Sequence, residues 1–424
     1  MGLRARSVNT ITTNPGRPQL RPWHFVLCFG LVSLFADMVY EGARSIIGPY
    51  LATLGASATV VGLVAGAGEF IGYGLRVVSG YLVQRSRHYW TWTIAGYALT
   101  VLSVPLIGAT NVMAPALLLY GTERLGKAVR SPAKDTLLSH ASTQTGRGTA
   151  FGVHQAMDQL GAMAGPLLLA AVLSQREGDY RLAFGVLIVP GVLVLALLFW
   201  LRHRVPDPAA YETEADETES PVPTDRPDPA VGNLPSEAHA EGSARVALPP
   251  LLWQYVGAVA LLSLGIASFP LLAFHAVTQG LLTPAQVPVV FALAMLVDGV
   301  SGLLMGRVYD RRGPKVLLVV PIAACVAAIA FTHNATLVWV GIAVWCVVNG
   351  VLDSTVKAVV TELVAPAERA VAFGWLAFVR GLGLLVAGGA LGLAYDQSIT
   401  LVVWLILGAN AVALAALAWV LARL

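Results

Sequence analysis

Charged side chains stand inside apolar runs at helical spacing, and their chemistry is proton exchange and ion binding. Asp37, Glu41 and Arg44 fall at i, i+4 and i+7, on one helix face about two turns long. Such a face can pair its own charges, Glu41 with Arg44 especially, or present an acid whose proton affinity follows its access to water. Ser or Asn would cost less in an apolar segment than three ionisable groups, so this face reads as functional. Glu69 and Arg76 share a face of the next run and read equally as an ion pair or as transport residues. Glu123, Lys127, Arg130 and Lys134 then step by four, three and four. These cations either recruit an anion or snorkel to the membrane edge as anchors. His154 and Asp158, at i and i+4, could pass a proton between them near neutral pH. Further on, His275 follows a break at Pro270, Asp298 sits alone in its run, and Asn349, Asp353 and Lys357 step by four. None of these forms a metal-ligand cluster, a phosphate-cradling loop or a nucleophile and base pair. The expectation is neither an enzyme nor an ATPase, with no cofactor and no metal.

The stretch from Glu123 to Pro166 holds the densest group of these charges, and part of it recurs. Arg147-x-x-Ala150-Phe151-Gly152, followed by Leu160-Gly161, returns 222 residues on as Arg369-x-x-Ala372-Phe373-Gly374 and Leu382-Gly383. A repeat at half the chain length predicts two similar halves. It also aligns Asp158 with Arg380, a candidate charge pair across a central cavity. Gly161 and Gly165 would let a neighbouring helix approach closely, and Pro166 would bend the segment.

The elements that position these residues follow from composition. Of 424 residues, 56% are hydrophobic and 12% charged, against roughly 25% charged in soluble domains. Mean hydropathy is +0.71. About 20 apolar residues cross a bilayer. Twelve such segments are expected, near 24–52, 58–83, 90–110, 112–130, 148–174 and 182–201, then 250–279, 286–307, 315–332, 335–357, 370–394 and 399–422. Gly48-Pro49 predicts a weakened end of the first. Residues 1–22 read as an N-terminal tail with no signal sequence, 23–202 and 249–424 as two six-helix bundles, and 203–248 as an acidic, Pro-rich linker unable to bury a core. Placing the tail, the 130–147 turn, the linker and both termini in the cytosol leaves only Arg176 and Arg181, of 27 Lys and Arg, in outer loops. Cys28, Cys325 and Cys346 read as free thiols, and a net charge of +3 gives no sign of nucleic acid binding.

Several motifs resemble the major facilitator superfamily of secondary transporters, across nearly the whole chain outside the tail and linker. Gly306-Arg-Val-Tyr-Asp310-Arg311-Arg312-Gly313-Pro-Lys315 resembles that superfamily's cytosolic loop signature, and Gly161-Ala-Met-Ala-Gly165-Pro166 its fifth-helix antiporter signature. Asp37-x-x-x-Glu41, Arg124-Leu-Gly126-Lys127-Ala-Val-Arg130-Ser-Pro132 and Ala156-Met-Asp158-x-x-Gly161 look similar to a group of bacterial and archaeal facilitators. The first-half copy of the loop carries Gln84 before Arg85 where the signature has Asp, and the fourth-helix Arg signature is not matched cleanly, Glu123-Arg124 standing near it instead.

The resemblance implies paired helical bundles around a cavity and alternating access, with a latch at Asp310, Arg311 and Arg85. The expected function is proton-coupled efflux of a small molecule across the cytoplasmic (inner) membrane, by a monomer. Asp37, Glu41, Glu69, Asp158 and His154 are the candidate proton carriers. Arg44, Arg76, Glu123, Lys127, His275, Asp298, Asp353, Lys357 and Arg380 are the candidate cavity residues. Three alternatives stand beside this: anion uptake or uniport, a lipid flippase with one apolar and one charged cavity half, and a sensor acting through the linker.

Overall fold

In hydrocarbon a backbone N–H or C=O finds no water, so apolar runs of this length must satisfy their hydrogen bonds internally. The chain accordingly consists of helices, with no strand among the described residues. The computed structural model describes residues 20–142, 145, 147–208, 210–211, 248–365 and 368–424. The expected tail up to residue 19 and the linker from 212 to 247 lie outside the described residues.

The first half contains α1 (Pro22–Thr53), α2 (Ala58–Ser86), α3 (Tyr89–Ala109), α4 (Met113–Ser142), α5 (Arg147–Gln175), and α6 (Tyr180–Val186) running into α7 (Ile188–Arg204). The second half contains α8 (Pro250–Leu264) and α9 (Phe269–Thr278), then α10 (Gln286–Arg312). It continues with α11 (Val319–Ala327), flanked by 3₁₀ turns, then α12 (Ala335–Leu363), α13 (Arg369–Gln397) and α14 (Ile399–Leu421). Both Arg-x-x-Ala-Phe-Gly copies open a helix, α5 and α13, and Ala150 and Ala372 are fully buried in equivalent places.

Among the described residues, ten stretches are long and apolar enough to cross a membrane. One of them, Gln286–Phe331, has 46 residues and is broken at Gly313, whose φ of 69° ends α10. The charged α4 is not among the ten. A count of twelve crossings needs that long run to cross twice and α4 to cross as well.

Two local expectations are corrected. The turn expected over 130–147 is helical as far as Ser142, because α4 buries Arg130 and half-buries Lys134 against other helices instead of leaving them in a cytosolic turn. Helix α1 runs through Gly48-Pro49 to Thr53 and ends only before Gly55, at φ 82°. Glu362, exposed near the end of α12, accepts a 2.6 Å hydrogen bond from the Tyr309 hydroxyl of α10.

Helix contact is closest where glycine removes the side chain, since packing rather than the hydrophobic effect joins helices in lipid. A Cβ on Gly161 or Gly165 would collide with the Leu34 or Met38 carbonyl of α1. Between the halves, Gly62 and Gly66 of α2 face Gly388 and Leu384–Leu385 of α13, Gly392 faces Ala58, and Gly48 of α1 faces Pro270 of α9. These contacts lead toward the end of the molecule that carries the 54–57 turn, here the hairpin end. The opposite, terminal end carries Pro22 and Leu421.

At the hairpin end Asp396 of α13 caps α2 across the halves. Its carboxylate accepts from the Ala58 and Thr59 N–H groups, both at 3.0 Å, and from the Thr59 hydroxyl at 2.6 Å. Asp396→Ala should weaken this closure by about 1 kcal/mol, roughly fivefold in the open population. The measurement is labelling of Ser268→Cys, in a background without native cysteines, by a maleimide added from the hairpin side. An unchanged rate would show that the cap does not hold the gate.

Candidate functional site: a charged cavity between the halves

A cavity of about 290 Å³ lies between the two halves. The first half contributes Asp37, Tyr40, Glu41 and Arg44 from α1, Glu69, Tyr73 and Arg76 from α2, Arg124 and Lys127 from α4, and Asp158 and Gln159 from α5. The second half adds Asp298, Trp345, Asn349, Asp353 and Arg380. On each helix these residues recur every three or four positions, so one polar stripe faces the cavity while apolar residues face outward.

Most of the charges form two linked groups. Arg44 bridges Glu41 (3.5 Å) and Glu69 (3.1 Å). Glu69 also meets Arg124 (3.7 Å), which binds Glu123 through Nε at 2.9 Å. Lys127 reaches Glu41 at 3.9 Å, with its ammonium 4.2 Å from the Tyr40 ring centroid. The second group gathers at His154. Its Nε2 lies 3.1 Å from Lys134 Nζ, 3.1 Å from the Ser33 hydroxyl and 3.6 Å from Asp158. Lys134 is 3.8 Å from Asp158, and Ser33 continues to the Tyr97 hydroxyl at 3.3 Å. Arg130 stacks between Tyr97 (4.2 Å) and Tyr40 (5.3 Å), its Nε buried without an acceptor.

Asp37 and Asp298 stand apart from both groups. Asp37 is 6% exposed and has neither an ion pair nor a hydrogen bond with any described residue. Asp298 of α10 has a buried Oδ1 without a partner.

Not every expected cavity residue lines the cavity. Glu123 and His154 are buried behind its wall. His275 is fully buried at the hairpin end, bonded to the Tyr395 hydroxyl (2.9 Å) and the Thr332 carbonyl (3.1 Å), which corrects its assignment to the cavity. The run after Pro270 turns that residue away from the polar stripe. Lys357 is exposed and away from the cavity. Asp158 and Arg380 both line the cavity without pairing, because Arg380 binds Asp353 at 2.9 Å and Asp158 is held by Lys134 and His154. Repeat-equivalent positions sit on opposite walls, and each side chain finds the nearer partner on its own wall. Asp310, Arg311 and Arg85 are exposed at the terminal end, where no latch pair forms among the described residues, and Gly306 lies within α10 just before them.

Sequence reasoning missed Tyr73, Gln159, Lys134 as a partner of His154, and the Tyr309–Glu362 bond. The i, i+3 spacing of Tyr73 and Arg76 was the one available signal for Tyr73. Gln159 donates to the Met295 carbonyl at 2.9 Å, joining α5 to α10 across the halves.

Residues 28–388 match the sequence family described as Major Facilitator Superfamily. An uncharacterised protein of Mycobacterium tuberculosis (strain ATCC 25618 / H37Rv) is 50% identical over 391 residues, 91% of this chain and 90% of that one. An uncharacterised MFS-type transporter of Methanocaldococcus jannaschii is 27% identical over 184 residues, covering 43% of this chain and 46% of its own. The crystal structure of nucleoside transporter NupG superposes with a TM-score of 0.67 at 13% identity, over 94% of this chain and 98% of that one.

Proposed function

The chain belongs to the major facilitator superfamily, and from that premise we propose that it exports a small molecule in exchange for protons by alternating access. Membership makes it a multi-pass membrane transporter and not an enzyme, with a small molecule as its substrate. The proposal adds coupling, direction and topology: two six-helix bundles (23–202 and 249–424), a linker at 203–248, twelve crossings, a monomer, and both termini in the cytosol. The Lys and Arg distribution supports that orientation. In it the hairpin-end contacts close the outside.

The observation that carries proton coupling is the state of Asp37. An acid lining a cavity with no cation at ion-pair distance can gain or lose a proton without first breaking a bond. Asp158, His154 and Lys134 stand on the same side of the cavity and supply the neighbouring steps. Glu41 and Glu69 are held by Arg44, Arg124 and Lys127, so their charge is committed to the network. One proton moving down a ~100 mV potential supplies about 2.3 kcal/mol, enough to concentrate a substrate up to about fiftyfold even before a pH gradient adds to it. The Gly161–Gly165–Pro166 signature supports exchange over uptake.

In everted vesicles, addition of a transported compound should collapse an imposed pH gradient with the wild type. Asp37→Asn and Asp158→Asn should each cut that response by tenfold or more, with folded protein levels unchanged. Labelled substrate that moves through the wild type without disturbing the gradient would point to uniport instead. A lipid flippase is less favoured, since both walls are charged: the second half contributes Asp298, Asp353 and Arg380.

A further inference from the structure

Two arginines, one from each half, meet at a single aromatic ring in the cavity wall. The guanidinium carbon of Arg76 lies 5.5 Å from the Tyr73 ring centroid and that of Arg380 lies 5.4 Å from it. The two stand at similar depth. Arg76 is ten residues before the end of α2 and Arg380 eleven after the start of α13, which places them ~15 Å and ~16 Å from the terminal end at 1.5 Å per residue.

Two like charges at one ring repel unless something neutralises them, and the described residues do so only in part. Arg380 has one ion pair, from one nitrogen, to an Asp353 whose side chain is 57% exposed. Arg76 has no carboxylate at ion-pair distance, and its buried Nε has no acceptor. Glu69, two turns from Arg76 on α2, is already shared by Arg44 and Arg124. The Tyr73 hydroxyl bonds to no described residue. The Arg76 fork, the free nitrogens of Arg380 and the Tyr73 hydroxyl are all donors, and all three residues line the cavity. A planar fork with spare N–H groups matches the two oxygens of a carboxylate or phosphate.

We propose that Arg76, Tyr73 and Arg380 form a seat for an oxyanion, so that the transported molecule carries a carboxylate or phosphate group. The assignment rests on the transport reading and names its substrate class. Because the two arginines belong to different halves, the bound anion also draws the halves together on the terminal side of the cavity. Substrate is then itself the link that converts this arrangement into an occluded one. Asp353, already paired with Arg380, and Asp298 line the same chamber, so the seat selects a compact anionic head over an extended polyanion.

The test is binding to the full-length purified protein in detergent, with no ion gradient. Butyrate, butyl phosphate and tetramethylammonium are compared by thermal unfolding shift and by equilibrium dialysis of the labelled compounds. At least one of the two anions should bind and the cation should not; which anion binds more tightly distinguishes carboxylate from phosphate. Arg76→Gln and Arg380→Gln should each weaken anion binding ten- to a hundredfold, Tyr73→Phe severalfold, and Arg76→Lys should restore part of the loss. Binding that is unchanged in the Arg76→Gln/Arg380→Gln protein, or a wild type that binds the cation and neither anion, overturns the seat. The milder Lys and Phe variants decide the matter if the Gln variants fold poorly. Anion binding that depends on both arginines while no compound collapses a pH gradient would leave the seat standing and remove proton coupling. Gradient collapse driven only by cations would do the reverse.

Discussion

Arg124→Leu should leave little folded protein in the membrane. The Arg124 side chain is 2% exposed, packs over the Tyr120 ring at 5.1 Å, and is the only cation at ion-pair distance from Glu123 among the described residues. Glu123 is 1% exposed and its Oε1 already lacks a hydrogen bond. Removing the guanidinium leaves one buried carboxylate unpaired and takes from Glu69 one of its two partners. Deleting one member of a buried ion pair costs about 3–5 kcal/mol, a large share of a typical total stability of about 5–15 kcal/mol. The readout is the monodisperse peak in size-exclusion chromatography together with the melting temperature. Glu123→Gln in the same chain should return part of the loss, because no charge is then stranded. An Arg124→Leu protein as stable as wild type would mean that this pair contributes nothing to the fold.

Gly388→Val should give the opposite phenotype, a folded protein that does not transport. A Cβ on Gly388 meets the Gly62 carbonyl of the other half, and rigid backbone cannot yield as a flexible side chain would. The hairpin end then cannot close, and the molecule is held open on that side. Transport should fall at least a hundredfold, while the Ser268→Cys label reacts faster from the hairpin side. Gly408→Val is the control, since a Cβ there meets nothing within 4 Å. Equal loss in both variants would mean that bulk in any helix is harmful and that the α2–α13 approach has no special role.

How much of this was legible in the sequence follows from the range of each interaction. Apolar runs and their charged faces are local patterns, and they located α1, α2 and the polar stripes directly. Asp37, Glu41, Arg44, Glu69 and Asp158 all line the cavity because a charge in an apolar helix has nowhere else to go. The end of α4 was misread for a related reason. Charge density after Arg130 resembles a turn, and only the other helices around it show that those cations are enclosed. Partners were harder still. The repeat aligned Asp158 with Arg380, but alignment gives equivalent places and not distances, and each found a nearer ion on its own wall. Tyr73 was overlooked because its i, i+3 spacing points to only one guanidinium, that of Arg76, while the other, Arg380, is far along the chain. His275 looked like a cavity residue because its partners, Tyr395 and Thr332, are 120 and 57 positions away.

The bare glycine contacts between α2 and α13 bear on ion leakage. Where backbones touch without side chains between them, a gap of roughly 0.5–1 Å forfeits a quarter to a half of the contact attraction, and the glycines themselves have no side chain to bridge it. At these glycine contacts the shut seam is therefore favoured over an ajar one through which water and protons could thread. A carrier whose seam favours the shut state spends less of the membrane's electrochemical gradient while it waits for cargo.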